Sequence, residues 1–199
     1  VLDGAVVKKL AIEDARVYGY NHVGILAGQI KGESVITDVT VEGTAAANTS
    51  SGGYASDAAV GGLAGKISGS NSGSRTTIEN VTATVNTVNL GATSKTGGIA
   101  GEVSNAYIVD TSVSATGNNI LGRYYVGGIV GAMSSGTSIY NVSVDGTIGG
   151  NGAYTVGGIT GYYEGGEIVV ARMFGEIGKT NAGTAREGIF IGTRKDSVD

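Results

Sequence analysis

Val126-Gly127-Gly128-Ile129-Val130-Gly131 is the unit from which the architecture follows, because close copies of it recur along the chain. Copies stand at Val60-Gly61-Gly62-Leu63-Ala64-Gly65, Thr96-Gly97-Gly98-Ile99-Ala100-Gly101 and Val156-Gly157-Gly158-Ile159-Thr160-Gly161. Worn copies occur at Val23-Gly24-Ile25-Leu26-Ala27-Gly28 and Glu187-Gly188-Ile189-Phe190-Ile191-Gly192. Their last glycines fall at positions 28, 65, 101, 131, 161 and 192. Self-similarity at a period of roughly 30 to 37 residues is the signature of a repeat architecture.

A second pattern follows each block, cleanest at Ile139-Tyr140-Asn141-Val142-Ser143-Val144-Asp145-Gly146. Its relatives begin at Ile36, Ile78 and Ile108, with worn forms from Val7 and Ile168. Leu63, Gly65 and Ile67 alternate with Ala64 and Lys66, the period of a half-buried strand. Strict alternation fails twice. Ile139 lies three residues before Val142, so a bend is expected at Asn141, whose type tolerates the left-handed conformation. Asp38, Asn80 and Asp110 fill the same slot. The Gly-Gly pair stands at an equal three-residue step and predicts another corner. A glycine facing inward in every copy predicts that another wall passes close by.

Strand, corner, strand and return, repeated and stacked, define an all-β, right-handed parallel β-helix (a β-solenoid) of about five to six coils of roughly 30 residues each. The whole chain reads as one such domain: 1–20 an entering half-coil, 21–186 the main coils, 187–199 an exit segment. Insertions are expected at Gly43 to Asp57, Gly69 to Ser74, Asn118 to Tyr125 and Gly149 to Tyr154.

Composition agrees. The 199 residues include 37 glycines and no proline or cysteine. Glycine disfavours helix, and Val, Ile, Thr and Tyr favour strands. Without proline or a Gly-X-Y period the chain is not collagen-like, and patterned apolar content at 41% argues against disorder. A net charge of −4 with scattered basic residues gives no nucleic-acid footprint. No apolar run approaches the roughly 18 residues of a membrane-spanning helix, so no membrane insertion is expected. The chain opens in mid-pattern and is expected to be part of a longer protein.

Chemistry-bearing residues are few. His22 is the sole histidine, which leaves Ser-His-Asp catalysis without a marked partner. No calcium-loop or phosphate-loop spacing occurs, so neither a metal nor a cofactor is expected. Asp38 and Asp110 would stand two coils apart, roughly 10 Å, near the separation of an inverting carboxylate pair. The column Asp38, Asn80, Asp110, Asn141 reads more simply as a structural corner ladder, so no catalytic residue is assigned. Tyr124, Tyr125, Tyr154, Tyr162 and Tyr163 are the candidate binding residues, since an apolar ring with a polar tip suits carbohydrate or protein contacts. Ala27, Ala64, Ala100 and Val130 read as an outward strip of small apolar residues for another domain to cover.

Val-Gly-Gly-Ile-x-Gly followed by Ile-x-Asn-x-x-Val-x-Gly resembles the GLUG repeat, best at Val126 to Gly146 and Val60 to Val85, and in worn form over nearly the whole chain. Such repeats occur in secreted and cell-wall proteins of bacteria, Gram-positive ones among them. One setting is the non-catalytic region of streptococcal-type IgA1-specific zinc metallopeptidases, another adhesin-like proteins. The resemblance implies an extracellular module with other domains of the parent protein as partners, and a host glycoprotein such as immunoglobulin A. That family's His-Glu-x-x-His zinc motif has no counterpart here, so none of its catalytic residues carries over.

Overall fold

The computed structural model describes residues 1–47, 57–70, 73–150, 153–178 and 186–195, all as strands, bends and turns. The first turn of chain gives β1 (Leu2–Asp3), β2 (Val6–Gly19) and β3 (His22–Val23). There follow β4 (Ala27–Lys31), β5 (Val35–Ala47), β6 (Ala59–Gly61), β7 (Ala64–Ser68), β8 (Thr76–Asn89) and β9 (Lys95–Gly97). The later coils supply β10 (Ala100–Ser104), β11 (Ala106–Gly122), β12 (Tyr125–Gly127), β13 (Val130–Met133), β14 (Ser138–Gly149) and β15 (Thr155–Gly157). The chain closes with β16 (Thr160–Tyr163), β17 (Glu167–Ile177), β18 (Arg186–Gly188) and β19 (Ile191–Arg194).

Every third strand joins the same sheet. Sheet A runs β1-β4-β7-β10-β13-β16-β19, sheet B β2-β5-β8-β11-β14-β17 and sheet C β3-β6-β9-β12-β15-β18. The pairings are parallel throughout. This is a parallel β-solenoid of about six turns.

The core is a set of stacked columns. Ile36, Ile78, Ile108 and Ile139 pair in register and are fully buried. Leu63, Ile99, Ile129 and Ile159 fill the corner after each Gly-Gly, and Ile30, Ile67, Val103 and Met133 line sheet A. No coil buries its own face, so the apolar burial that holds the rod together is coil against coil.

The Gly-Gly corner needs its glycines for space. None of Gly61, Gly62, Gly97, Gly98, Gly127 or Gly128 has a positive φ. A Cβ on Gly62 would lie 2.3 Å from the carbonyl oxygen of Gly98, and one on Gly98 at the same distance from that of Gly128. The third glycine of each block admits the neighbouring wall: a Cβ on Gly101 would lie 2.5 Å from the nitrogen of Val60 in sheet C.

Three expectations are corrected. Ala64, Ala100 and Val130 are fully buried, with Ala27 partly so, and form no outward strip. The chain folds so tightly at Gly-Gly that the residue just past the corner is packed in: a Cβ on Gly61 would lie 2.4 Å from the Cα of Ala100. Gly43 to Ala47 is sheet, not excursion, because Ala45 and Ala46 pair with Val17 and Tyr18 on one side and Thr87 and Val88 on the other. Asn118 to Gly122 likewise belongs to β11, which takes up its extra residues as a register shift between Ala115 and Asn119. Residues 48–56, 71–72 and 151–152, inside three of the expected insertions, lie outside the described residues.

Candidate functional site

The acid–amide column is a corner of sheet B. Asp38, Asn80, Asp110 and Asn141 have φ of 56, 51, 49 and 50°. The Asn80 amide donates to Asp38 Oδ1 at 2.6 Å, and the Asn141 amide to Asp110 Oδ1 at 2.5 Å. Arg172 Nη1 reaches Asn141 Oδ1 at 3.5 Å. Each acid is thus held by the amide of the following coil, and short polar side chains bear the left-handed backbone best. The register runs further than the sequence pattern showed: Lys9 and Val170 occupy the same slot with φ of 54 and 53°.

Stacking brings four of the five candidate tyrosines together. The rings of Tyr124 and Tyr154 stack at 5.1 Å and 10°, and those of Tyr125 and Tyr162 at 4.6 Å and 20°. Tyr124 and Tyr125 join the two pairs, their rings 4.4 Å apart and tilted by 57°. Register explains the grouping: Tyr125 pairs with Thr155 beside Tyr154, while Tyr162 stands in the sheet A strand after the next Gly-Gly corner. Burial, then the Tyr124 phenol bonded beside it, push the Tyr125 phenol up from its ordinary value. Arg186 extends the strip, its guanidinium 5.9 Å from the Tyr154 ring. Tyr163 is not part of it. That side chain packs on the core, and its hydroxyl donates to the carbonyl of Gly166 at 2.6 Å.

A charged cluster adjoins the aromatic strip on the same edge, where side chains of sheets A and C meet. Glu102 accepts from Lys66 at 2.8 Å and from Lys95 at 3.1 Å, and Asp57 stands 3.6 Å from Lys95. Burial works to raise the Glu102 pKa, but the Lys66 hydrogen bond and the Lys95 charge outweigh it, and the carboxyl lies below its ordinary range. His22 lies one strand away from Ala59 and two from Lys95 in sheet C. Its pKa is lowered by burial first and then by the Lys66 charge, with Glu102 opposing. This cluster was missed in the sequence. The signal was there: the residue after the last glycine of each block, and the one before each Val-Gly-Gly, form two facing columns.

Among the described residues no group of three His, Asp or Glu could hold a metal ion, and no helix is long and apolar enough to cross a membrane. Comparison of the chain with protein-family models, curated proteins and solved structures returns no match. The fold defines its class as a parallel β-solenoid, and the site is a surface strip of stacked aromatics bordered by charge.

Proposed function

We propose that this chain is a non-catalytic structural and interaction module of a secreted or cell-surface bacterial protein of the IgA1-protease-like metallopeptidase kind. In this reading the solenoid positions other domains of the parent protein and helps bind a host glycoprotein. The observation that carries it is the gathering of Tyr154, Tyr124, Tyr125 and Tyr162 into one partly exposed strip. The carboxylates considered for catalysis, Asp38 and Asp110, are meanwhile engaged by amides at a backbone corner. Half-buried tyrosines lose little side-chain entropy on binding and offer hydroxyls for hydrogen bonds, which suits contact with glycoprotein surfaces.

The second reading is an adhesin repeat with a glycan or protein ligand of its own. Charge at both ends of the strip favours it, with Arg186 over Tyr154 at one end and the Lys66–Glu102–Lys95 cluster at the other, since charge beside aromatics adds selectivity. Binding of the chain to immobilised immunoglobulin A and to a glycan array separates the two. Immunoglobulin binding lost on Tyr124→Ala supports the first reading, and glycan binding without immunoglobulin binding the second. If neither surface is bound, the strip serves packing alone and the interaction role falls. Polysaccharide cleavage abolished by Asp38→Asn and Asp110→Asn with the fold intact would replace both with an enzyme.

A further inference from the structure

Stacking turns the tyrosine strip edge-on to solvent. Tyr124 and Tyr125 belong to one coil and Tyr154 and Tyr162 to the next, and both stacked pairs join the two coils. In each pair, at 5.1 and 4.6 Å, one face of either ring is turned to its partner along the rod. Tyr124 and Tyr125 close on each other at 57°, and Arg186 lies over the Tyr154 ring a coil further on. What is left outward is ring rims and hydroxyls, with Tyr154 39% exposed and the other three side chains half-buried. A pyranose stacks on an open aromatic face, which this arrangement withholds. A ring rim is the positive end of the aromatic quadrupole, and a phenol donates, so the strip is set for negatively charged acceptors.

Charge is divided across the molecule in the same sense. The strands of sheet B carry nine acidic residues against four basic ones, whereas those of sheets A and C carry three against five. The chain's net −4 thus belongs to the wall away from the strip. Arg123 stands exposed immediately before Tyr124 and, among the described residues, in no ion pair. At the lysine end, Lys66 and Lys95 share one carboxylate, Glu102, and the second acid, Asp57, is the looser partner at 3.6 Å with its side chain 75% exposed. A field of this sign draws in an anionic partner and turns it toward the tyrosines.

We propose that the strip takes an acidic, extended segment of the glycoprotein's polypeptide, laid along the rod with its carboxylates at the tyrosine hydroxyls and at Arg123. This rests on the interaction-module reading above and names the chemistry that the module recognises. Lys95, Tyr125, Thr155 and Arg186 follow one another in sheet C, so the strip spans three strand spacings, roughly 14 Å. An extended chain covers that distance in about four residues, and residues two apart face the same side. The segment that fits therefore carries Asp or Glu at alternate positions.

The probe is a labelled octapeptide alternating glutamate with serine, titrated into the intact chain. It is expected to bind one-to-one, at least about tenfold more tightly than the same peptide with glutamine for glutamate. Raising the salt from about 50 to about 500 mM should weaken it at least about fivefold. Tyr124→Phe keeps the ring and its stack but removes the hydroxyl, and Arg123→Gln removes the charge; each should weaken the glutamate peptide at least about threefold. Tyr140→Phe, at an exposed position on the sheet B wall, should bind as the parent chain does. Equal binding of the glutamine peptide, indifference to salt, or parental affinity in Tyr124→Phe overturns the proposal. So does sialyllactose bound as tightly as the peptide, which would give the strip to an acidic glycan. Salt-sensitive self-association in sedimentation overturns it too, by giving the strip to the acidic sheet B wall of a second copy. Immunoglobulin A binding that is lost on Tyr124→Ala but not displaced by the glutamate peptide overturns this proposal alone and leaves the interaction module standing. Binding of neither immunoglobulin nor peptide removes both.

Discussion

Val170 carries a conformation that its side chain opposes. Its φ of 53° belongs to the corner that Asp38, Asn80, Asp110 and Asn141 make with short polar side chains. For an L-residue the left-handed region costs roughly 1–2 kcal/mol, and β-branching adds crowding at χ1. Val170 is also 45% exposed, so little packing is lost on replacing it. Val170→Asn is expected to stabilise the chain by about 1 kcal/mol, read as a higher denaturation midpoint at unchanged m-value. The corner glycines predict the opposite sign. A Cβ at Gly128 would meet the Gly158 carbonyl oxygen at 2.1 Å, and backbone in a stacked coil cannot retreat. Gly128→Ala should cost about 3 kcal/mol or more. Gly4→Ala meets no atom within 4 Å and bears only the strain of its φ of 56°, so its cost should stay near 1 kcal/mol. Chemical denaturation of the two variants side by side checks the ranking. The asparagine corner was legible because its three-residue step breaks a period of two. Lys9 and Val170 were not, because at the ends stacking imposes a conformation that their own chemistry does not announce.

Between elements, the edge where sheets A and C meet shows what a sequence column can and cannot say. Aligning the repeats places Tyr125 over Lys95 and Tyr162 in the column of Lys66 and Glu102. It does not say that the two columns face each other, which depends on how sharply the chain turns at Gly-Gly. That turn also decides that Ala64, Ala100 and Val130 are interior, although alternation alone puts them outside. Electrostatics at this edge gives a pH dependence. Glu102 and His22 both have folded pKa values below their unfolded ones. For each, the proton binds the unfolded chain more readily, so the stability contribution is present above the unfolded pKa and is lost as pH falls through the folded one. For His22 the loss begins below about 6.5, and for Glu102 below about 4.3. The denaturation midpoint should therefore fall between pH 7 and 5, and His22→Gln should flatten that interval while leaving the steeper loss below pH 4 in place. An unchanged slope in the His22→Gln variant would show that other groups set it. Inside the same elements Thr96 stands in a column with Val60, Val126 and Val156, fully buried, its hydroxyl without a hydrogen-bond partner. Thr96→Val keeps the shape and removes a desolvated hydroxyl, so thermal unfolding should show a gain of about 1 kcal/mol.

As a whole the molecule is a one-dimensional stack, and its stability should vary along the rod. A repeating glycine block announced that much, since a motif copied six times at a near-constant period describes architecture before it describes chemistry. What repetition could not announce is the difference between coils, because equivalent residues have different neighbours according to their distance from an end. Ile139 and Ile168 make the case. They pair in adjacent strands of sheet B and share a slot in the repeat, yet Ile139 is sealed between two coils, whereas Ile168 is only partly buried and, among the described residues, is paired on one side. Removing an interior isoleucine leaves a cavity that stacked walls cannot close, and Ile139→Ala should cost about 3–4 kcal/mol. At Ile168 solvent and a hollow already adjoin the side chain. The same change there should cost about 1 kcal/mol, close to the partial transfer term alone. In a stack with nearest-neighbour coupling the two variants also differ in reach. Ile139→Ala should lower amide protection in β11, β14 and β17 together, since it weakens both interfaces of its coil. Ile168→Ala should lower it in β17 to β19 and leave β5 to β11 as in the parent chain. Hydrogen exchange resolved along the chain measures both, and equal losses in the two variants would mean that the rod unfolds as a single unit with no gradient from centre to end.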